Sequence, residues 1–111
     1  MDNVREKVKA IASLLDEKKA YDLTLIDISE ISVMADYFLL ATALNPNHAR
    51  SLSDEVEKKF KGARQVEGYR GGTWILMDYG DFLVHIFCPE ERSFYNLERI
   101  WQDGKTIDWE A

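Results

Sequence analysis

Gly71-Gly72-Thr73-Trp74-Ile75-Leu76-Met77-Asp78-Tyr79-Gly80-Asp81-Phe82-Leu83-Val84-His85-Ile86-Phe87 decides how this chain is read. Thr73–Met77 and Phe82–Phe87 are β-branched and aromatic runs, the composition of strands. Between them Asp78-Tyr79-Gly80-Asp81 has the chemistry of a hairpin turn, and Gly80 supplies the positive φ that a tight turn requires. Taking Tyr79 and Gly80 as the loop pair sets Asp78 opposite Asp81, Leu76 opposite Leu83 and Trp74 opposite His85. Side chains alternate along a strand, so both faces can be written down. Ile75, Met77, Phe82, Val84 and Ile86 form a wholly apolar face, which is core. Trp74, Leu76, Asp78, Asp81, Leu83 and His85 lie on the other.

That second face is too apolar for a wet surface and too polar for a second core. A Trp beside a His, flanked by two Leu and two carboxylates, has the make-up of a protein-binding hot spot. The alternative is that another helix of the same chain covers it, as is common for sheets in α/β domains.

Outward from the hairpin, helices and strands alternate. Asp2 or Asn3 can cap a helix over Val4–Lys19, where Val4, Val8, Ile11, Ala12 and Leu15 recur on one face. Tyr21–Ile28 reads as a strand with Leu23, Leu25 and Ile26 buried, and Ser29–Ala35 as a connection. Asp36–Thr42 is a second strand, apolar enough to be central. Asn45-Pro46 opens a helix whose inner stripe is Ala49, Leu52, Val56 and Phe60, with Gly62 as its stop. Arg64–Glu67 reads as a short strand. Beyond Pro89, Glu90–Trp101 reads as a helix carrying Phe94, Leu97, Ile100 and Trp101 inward. Residues 102–111 are expected to form a frayed tail. The sum is one α/β domain over residues 1–111, with a mixed five-stranded sheet and helices packed against it.

Composition narrows the function. With 46% hydrophobic and 31% charged residues, the 111-residue chain is an ordinary globular domain able to bury one core. The single cysteine, Cys88, excludes an internal disulfide and fits a reducing compartment. No apolar run is long enough for a membrane span, and Met-Asp-Asn-Val-Arg-Glu-Lys lacks the apolar core of a secretion signal, so a cytoplasmic location is expected. A formal charge of −6 argues against naked nucleic acid, whose binding depends on neutralising phosphates. It points instead towards a basic protein partner. Lys58, Lys59, Lys61 and Arg64 make a small basic cluster, which suits a solvated helix end and at most a peripheral RNA contact.

Catalytic constellations are missing. Gly71-Gly72 lacks the Lys and Ser or Thr of a phosphate loop, and there is no Gly-x-Ser-x-Gly elbow. His48, His85 and Cys88 lack the close spacing of metal ligands, and Cys88 has no basic neighbour to activate it. Asp78 and Asp81 can be read as a magnesium pair for phosphoryl transfer, or more simply as turn formers that bond their own backbone. No catalytic residue, cofactor or metal is expected.

Three spaced motifs carry a family resemblance. Trp74-Ile75-Leu76-Met77-Asp78-Tyr79-Gly80-Asp81, then Val84-His85-Ile86-Phe87, then Arg92-Ser93-Phe94-Tyr95-Asn96-Leu97-Glu98-Arg99-Ile100-Trp101 closely resemble the signature of the ribosomal silencing factor family (Iojap/RsfS). Ser32-Val33-Met34-Ala35-Asp36-Tyr37-Phe38 with Thr42, and the helix opening near Asn47-His48, are similar too. The likeness runs from Val4 to Trp101. It departs at Ile100, where Leu is usual, and at Phe82-Leu83, where smaller β-branched residues are common.

The resemblance implies a non-enzymatic protein. It would bind protein number fourteen of the large ribosomal subunit, keep the small subunit away and so repress translation when nutrients are short. It also implies a nucleotidyltransferase-like fold, here without the Gly-Ser and Asp-x-Asp of those enzymes, and pairing of isolated molecules into a homodimer. The docking residues would then be Trp74, Leu76, Asp78, Leu83 and His85, with Tyr95 at the border, although Phe94 and Tyr95 are equally readable as core. The rival reading is a nucleotidyltransferase-like enzyme using Asp78 and Asp81 with magnesium.

Overall fold

The computed structural model describes residues 3–95 and 104–110, with 93–95 described by their backbone alone. Helix α1 (Asn3–Glu17) leads into strands β1 (Tyr21–Asp27) and β2 (Tyr37–Thr42), then helix α2 (Pro46–Lys59). Strands β3 (Gln65–Glu67), β4 (Trp74–Asp78) and β5 (Phe82–Phe87) follow, then helix α3 (Pro89–Tyr95) and strand β6 (Lys105–Ile107). The sheet order is β3-β4-β5-β2-β1-β6. Strand β2 runs parallel to β5, and the other pairings are antiparallel, so the sheet is mixed.

The expected elements form for the expected reasons. The stripe of α1 buries Val8, Ile11, Ala12 and Leu15 completely. The helix closes earlier than Lys19: that residue is itself left-handed at φ 79°, and Ala20 N–H bonds back to the Leu15 carbonyl at 2.9 Å. At the start of α2, the Asn45 side chain accepts from His48 N–H at 2.8 Å, and Pro46 fills the first turn. His48 also stitches the two helices together. Its Nδ1 accepts from Leu44 N–H at 2.9 Å, which leaves Nε2 to donate to the Lys18 carbonyl at 2.9 Å. Ile75, Met77, Phe82, Val84 and Ile86 face the same core as α1 and α2. All six residues of β2 are buried, as its central place demands.

Three expectations need correction. The hairpin register is shifted: Trp74 lies opposite Phe87, Leu76 opposite His85 and Asp78 opposite Leu83. Tyr79 N–H bonds to the Phe82 carbonyl at 3.1 Å, so Gly80 and Asp81 are the loop pair, with positive φ at Gly80 only, the type II′ pattern. A shift of two residues leaves both faces intact. The sheet has six strands, not five, because residues 105–107 of the expected frayed tail pair with β1 as Leu25–Ile107, Ile26–Thr106 and Asp27–Lys105. Ile107 and Trp109 anchor that edge on the core. Strand β1 also carries a bulge between Tyr21 and Thr24, where Asp22 has φ 51°. The expected helical residues Leu97, Ile100 and Trp101 lie outside the described residues, as does the side chain of Phe94.

Gly68 sets the entry to β4. Its φ is +79°, and a Cβ there would overlap the Trp74 carbonyl oxygen, whereas a Cβ on Gly71 meets nothing. Gly68→Ala is expected to cost about 2–3 kcal/mol, lowering Tm by on the order of 10 °C, with Gly71→Ala near neutral. Thermal melts of the two variants check this.

Candidate partner-binding face

Helices α1 and α2 occupy one side of the sheet, and the residue registers map the other in three rows. The first row is Asp78, Leu83, Phe38, Ile26 and Thr106; the second is Leu76, His85, Leu40 and Thr24; the third is Trp74, Phe87 and Thr42. The central positions are closed to solvent: Phe38, Leu40, Ile26 and Phe87 are buried. Part of that cover is α3. Arg92 donates to Thr42 Oγ1 at 2.8 Å, to Thr24 Oγ1 at 3.1 Å and to the Asp22 carbonyl at the bulge. Both threonines lie on this side, so the chain does cover the β1–β2 half of its own second face. Towards β4 the face opens, and Trp74, Leu76, Asp78 and Leu83 are half-buried.

The indole is held in a fixed pose. Trp74 Nε1–H donates to His85 Nδ1 at 3.1 Å, and its ring packs on Phe87 with centroids 5.1 Å apart. His85 stacks against Phe87 at 5.7 Å and meets Phe38 at 4.8 Å. The shifted register makes Trp74 and His85 diagonal neighbours, close enough for a ring to reach. With Nδ1 accepting, the imidazole is neutral and its proton sits on Nε2, which is buried and has no hydrogen-bond partner among the described residues. Burial pushes the His85 pKa down to about 4.

His85 therefore differs from its expected role on the docking surface. At 4% exposure it is enclosed, with Phe38, Phe87 and Trp74 around its ring, and it holds the indole through Nδ1. Trp74, Leu76, Asp78 and Leu83 do share the open part of the face. The side chain of Tyr95 lies outside the described residues. Sequence reading passed over Phe87, the platform for the indole, because the assumed register left it unpaired. Reading Ser29–Ala35 as a connection, with Ser32–Ala35 in a family motif, leaves unused the signal of three apolar loop residues, Ile31, Val33 and Met34.

The Asp78 carboxylate behaves as a turn former. Asp78 Oδ1 accepts from Gly80 N–H at 2.7 Å, and Oδ2 pairs with Arg64 at 3.5 Å. Asp81 is exposed, its carbonyl taking the Asp36 N–H at 2.7 Å. Among the described residues no group of three or more His, Cys, Asp or Glu is arranged to hold a metal. His48 has both nitrogens engaged, and burial, with Glu91 and Glu90 nearby, pushes the Cys88 thiol up, away from a reactive thiolate.

The family model described as ribosomal silencing factor during starvation, RsfS, matches residues 1–111. A ribosomal silencing factor of Bacillus subtilis is 34% identical over 110 residues, which are 96% of this chain and 93% of that protein. A mouse protein named for mitochondrial assembly of the ribosomal large subunit is 25% identical over 101 residues, 85% of this chain and 44% of its own. A crystal structure of a Chromobacterium violaceum protein superposes with a TM-score of 0.83 at 24% identity, covering 97% of this chain and 92% of that one, and so shares the fold.

The buried imidazole makes stability depend on pH. Above pH 6.5 His85 is neutral both folded and unfolded and contributes no dependence. Between about 6.5 and 4 the unfolded chain takes up a proton that the folded chain refuses. Stability should therefore fall with pH by about 1.4 kcal/mol per unit, approaching 3 kcal/mol near pH 4, where the loss levels off. Denaturant melts across this window check it, and His85→Gln should flatten that part of the slope.

Proposed function

Since the chain belongs to the ribosomal silencing factor (RsfS/Iojap) family, a family of regulators rather than enzymes, we propose that it docks on protein number fourteen of the large ribosomal subunit and blocks entry of the small subunit. The observation that carries this reading is the open half of the second face. There a half-buried indole, held by His85 and packed on Phe87, stands beside Leu76 and Leu83 with Asp78 at the margin. A pre-positioned aromatic loses little freedom on binding, which is what a hot-spot anchor requires.

Charge supports the same partner. At −6 the protein is drawn to a cationic surface, and ribosomal proteins supply one. The name of the mouse relative also points to the large subunit. Once docked, a body of 35 × 30 × 25 Å excludes the small subunit by volume alone, so no chemistry is required. Residues around Lys58, Lys59, Lys61 and Arg64 touch ribosomal RNA at most at the periphery. Isolated molecules pair through the Trp74 face into a homodimer that competes with docking. The protein works in the cytoplasm, where ribosomes are; no helix among the described residues is long and apolar enough to cross a membrane.

Sedimentation of purified subunits tests the proposal. Added protein should move the equilibrium from joined ribosomes to free subunits. Trp74→Ala should weaken large-subunit binding roughly thirtyfold or more. Leu76→Arg, which leaves the His85–Trp74 bond in place, should do likewise with little change in Tm. Joined ribosomes that persist at saturating protein reject the steric mechanism, and full binding by a folded Leu76→Arg protein rejects the face.

A further inference from the structure

Among the described residues, the two most exposed large apolar side chains lie elsewhere than at Trp74. Val33 is fully exposed and Met34 84% exposed, with Ile31 at 44%, all in the loop of residues 28–36 between β1 and β2. This loop is not loose. Ile31 and Ser32 N–H groups both bond to the Ile28 carbonyl, at 3.0 and 2.9 Å, and Met34 N–H bonds to Ser32 Oγ at 3.1 Å. Its ends are tied by Ile28 N–H to the Asp36 carbonyl at 2.8 Å and by Asp36 N–H to the Asp81 carbonyl at 2.7 Å. Ala35 is buried in the same apolar cluster as Phe38, on which Leu83 and Trp74 pack. The loop is thus built with its apolar side chains held in water.

Its surroundings choose the occupant. Asp36 and Asp81 are exposed, adjacent through their backbones, and without an ion-pair partner among the described residues. Glu30 pairs with the exposed Lys105 at 3.2 Å. An apolar tip flanked by the unpaired carboxylates of Asp36 and Asp81 fits a cationic surface. A second copy would bring these carboxylates together in a symmetric contact, and an anionic lipid surface would repel them. The tip sits at the end of the face where the Asp78–Leu83–Phe38 row lies. That row is four residues along β4 from Trp74, ~13 Å at ~3.3 Å per residue, well within one interface of standard size.

We propose that Ile31, Val33 and Met34 form a second docking element, which enters an apolar recess rimmed by Lys or Arg on the same large-subunit protein that receives the Trp74 face. This rests on the reading above and extends it from one anchor to two. Methionine suits such a role, since its flexible thioether adapts to an irregular recess.

The test compares a Val33→Ser/Met34→Ser double variant with Leu76→Arg and wild type, measuring affinity for purified large subunits and Tm. The double variant should bind at least about tenfold more weakly with Tm unchanged, since its side chains touch almost nothing in the fold. Wild-type affinity in the double variant, with binding lost in Leu76→Arg, overturns the second element and leaves the Trp74 face standing. Wild-type affinity in both variants removes the two together. Equilibrium sedimentation adds one more outcome: a wild-type dimer dissolved by the double variant, at unchanged subunit affinity, overturns the proposal in favour of self-association.

Discussion

The register between β2 and β5, with Phe38 beside Leu83 and Leu40 beside His85, is the constraint from which the rest of the molecule follows. Parallel neighbours need a long crossover, and here the chain leaves β2 through α2 on one side of the sheet and returns through β3 and β4 within it. The parallel pairing also puts the two central strands in contact with apolar layers on both faces. One layer is supplied in full by α1 and α2. The other is supplied in part by α3, fastened to β1 and β2 by the three bonds of Arg92. Along β4 the described residues Trp74, Leu76 and Asp78, with Leu83 beside them, remain half-buried. The candidate docking face is what an incomplete second layer leaves behind.

Much of this was legible because alternation along a strand is insensitive to register. The hairpin was read two residues out of step, yet every residue fell on its correct face, since a shift by an even number preserves the period of two. Helix positions were equally plain, because Asn45 with Pro46, and the Val8–Leu15 stripe, carry their own start signals and spacing. What escaped was anything fixed by a distant partner. Lys105-Thr106-Ile107 is too short to announce a strand, and becomes one only because β1 offers an unpaired edge. The bulge at Asp22 depends on how β1 accommodates β2, which no local pattern encodes.

The site was half legible for the same reason. Trp74, Leu76, Asp78 and Leu83 were placed by alternation alone and share the open strip. Alternation puts His85 on the same face and so implies exposure, although it fixes the side of a residue and not its depth. Its neighbours overrule that: Phe38 and Phe87 enclose the ring, and Trp74 Nε1–H donates to its Nδ1. The exposed tip of residues 31–34 escaped because connections are assumed to be polar, and its apolar side chains show their purpose only when the loop is seen tied in place.

The outermost strands have their own bearing on recognition. Both borders of the sheet, β3 and β6, are only three residues long. So brief a row of unpaired amides and carbonyls gives an incoming extended segment almost nothing to zip onto. Lateral growth into fibrils is disfavoured by the same economy. Any companion must therefore read this protein by the shape and charge of its side chains, not by joining its main chain, and selectivity will lie in a handful of contacts that evolution can retune one residue at a time.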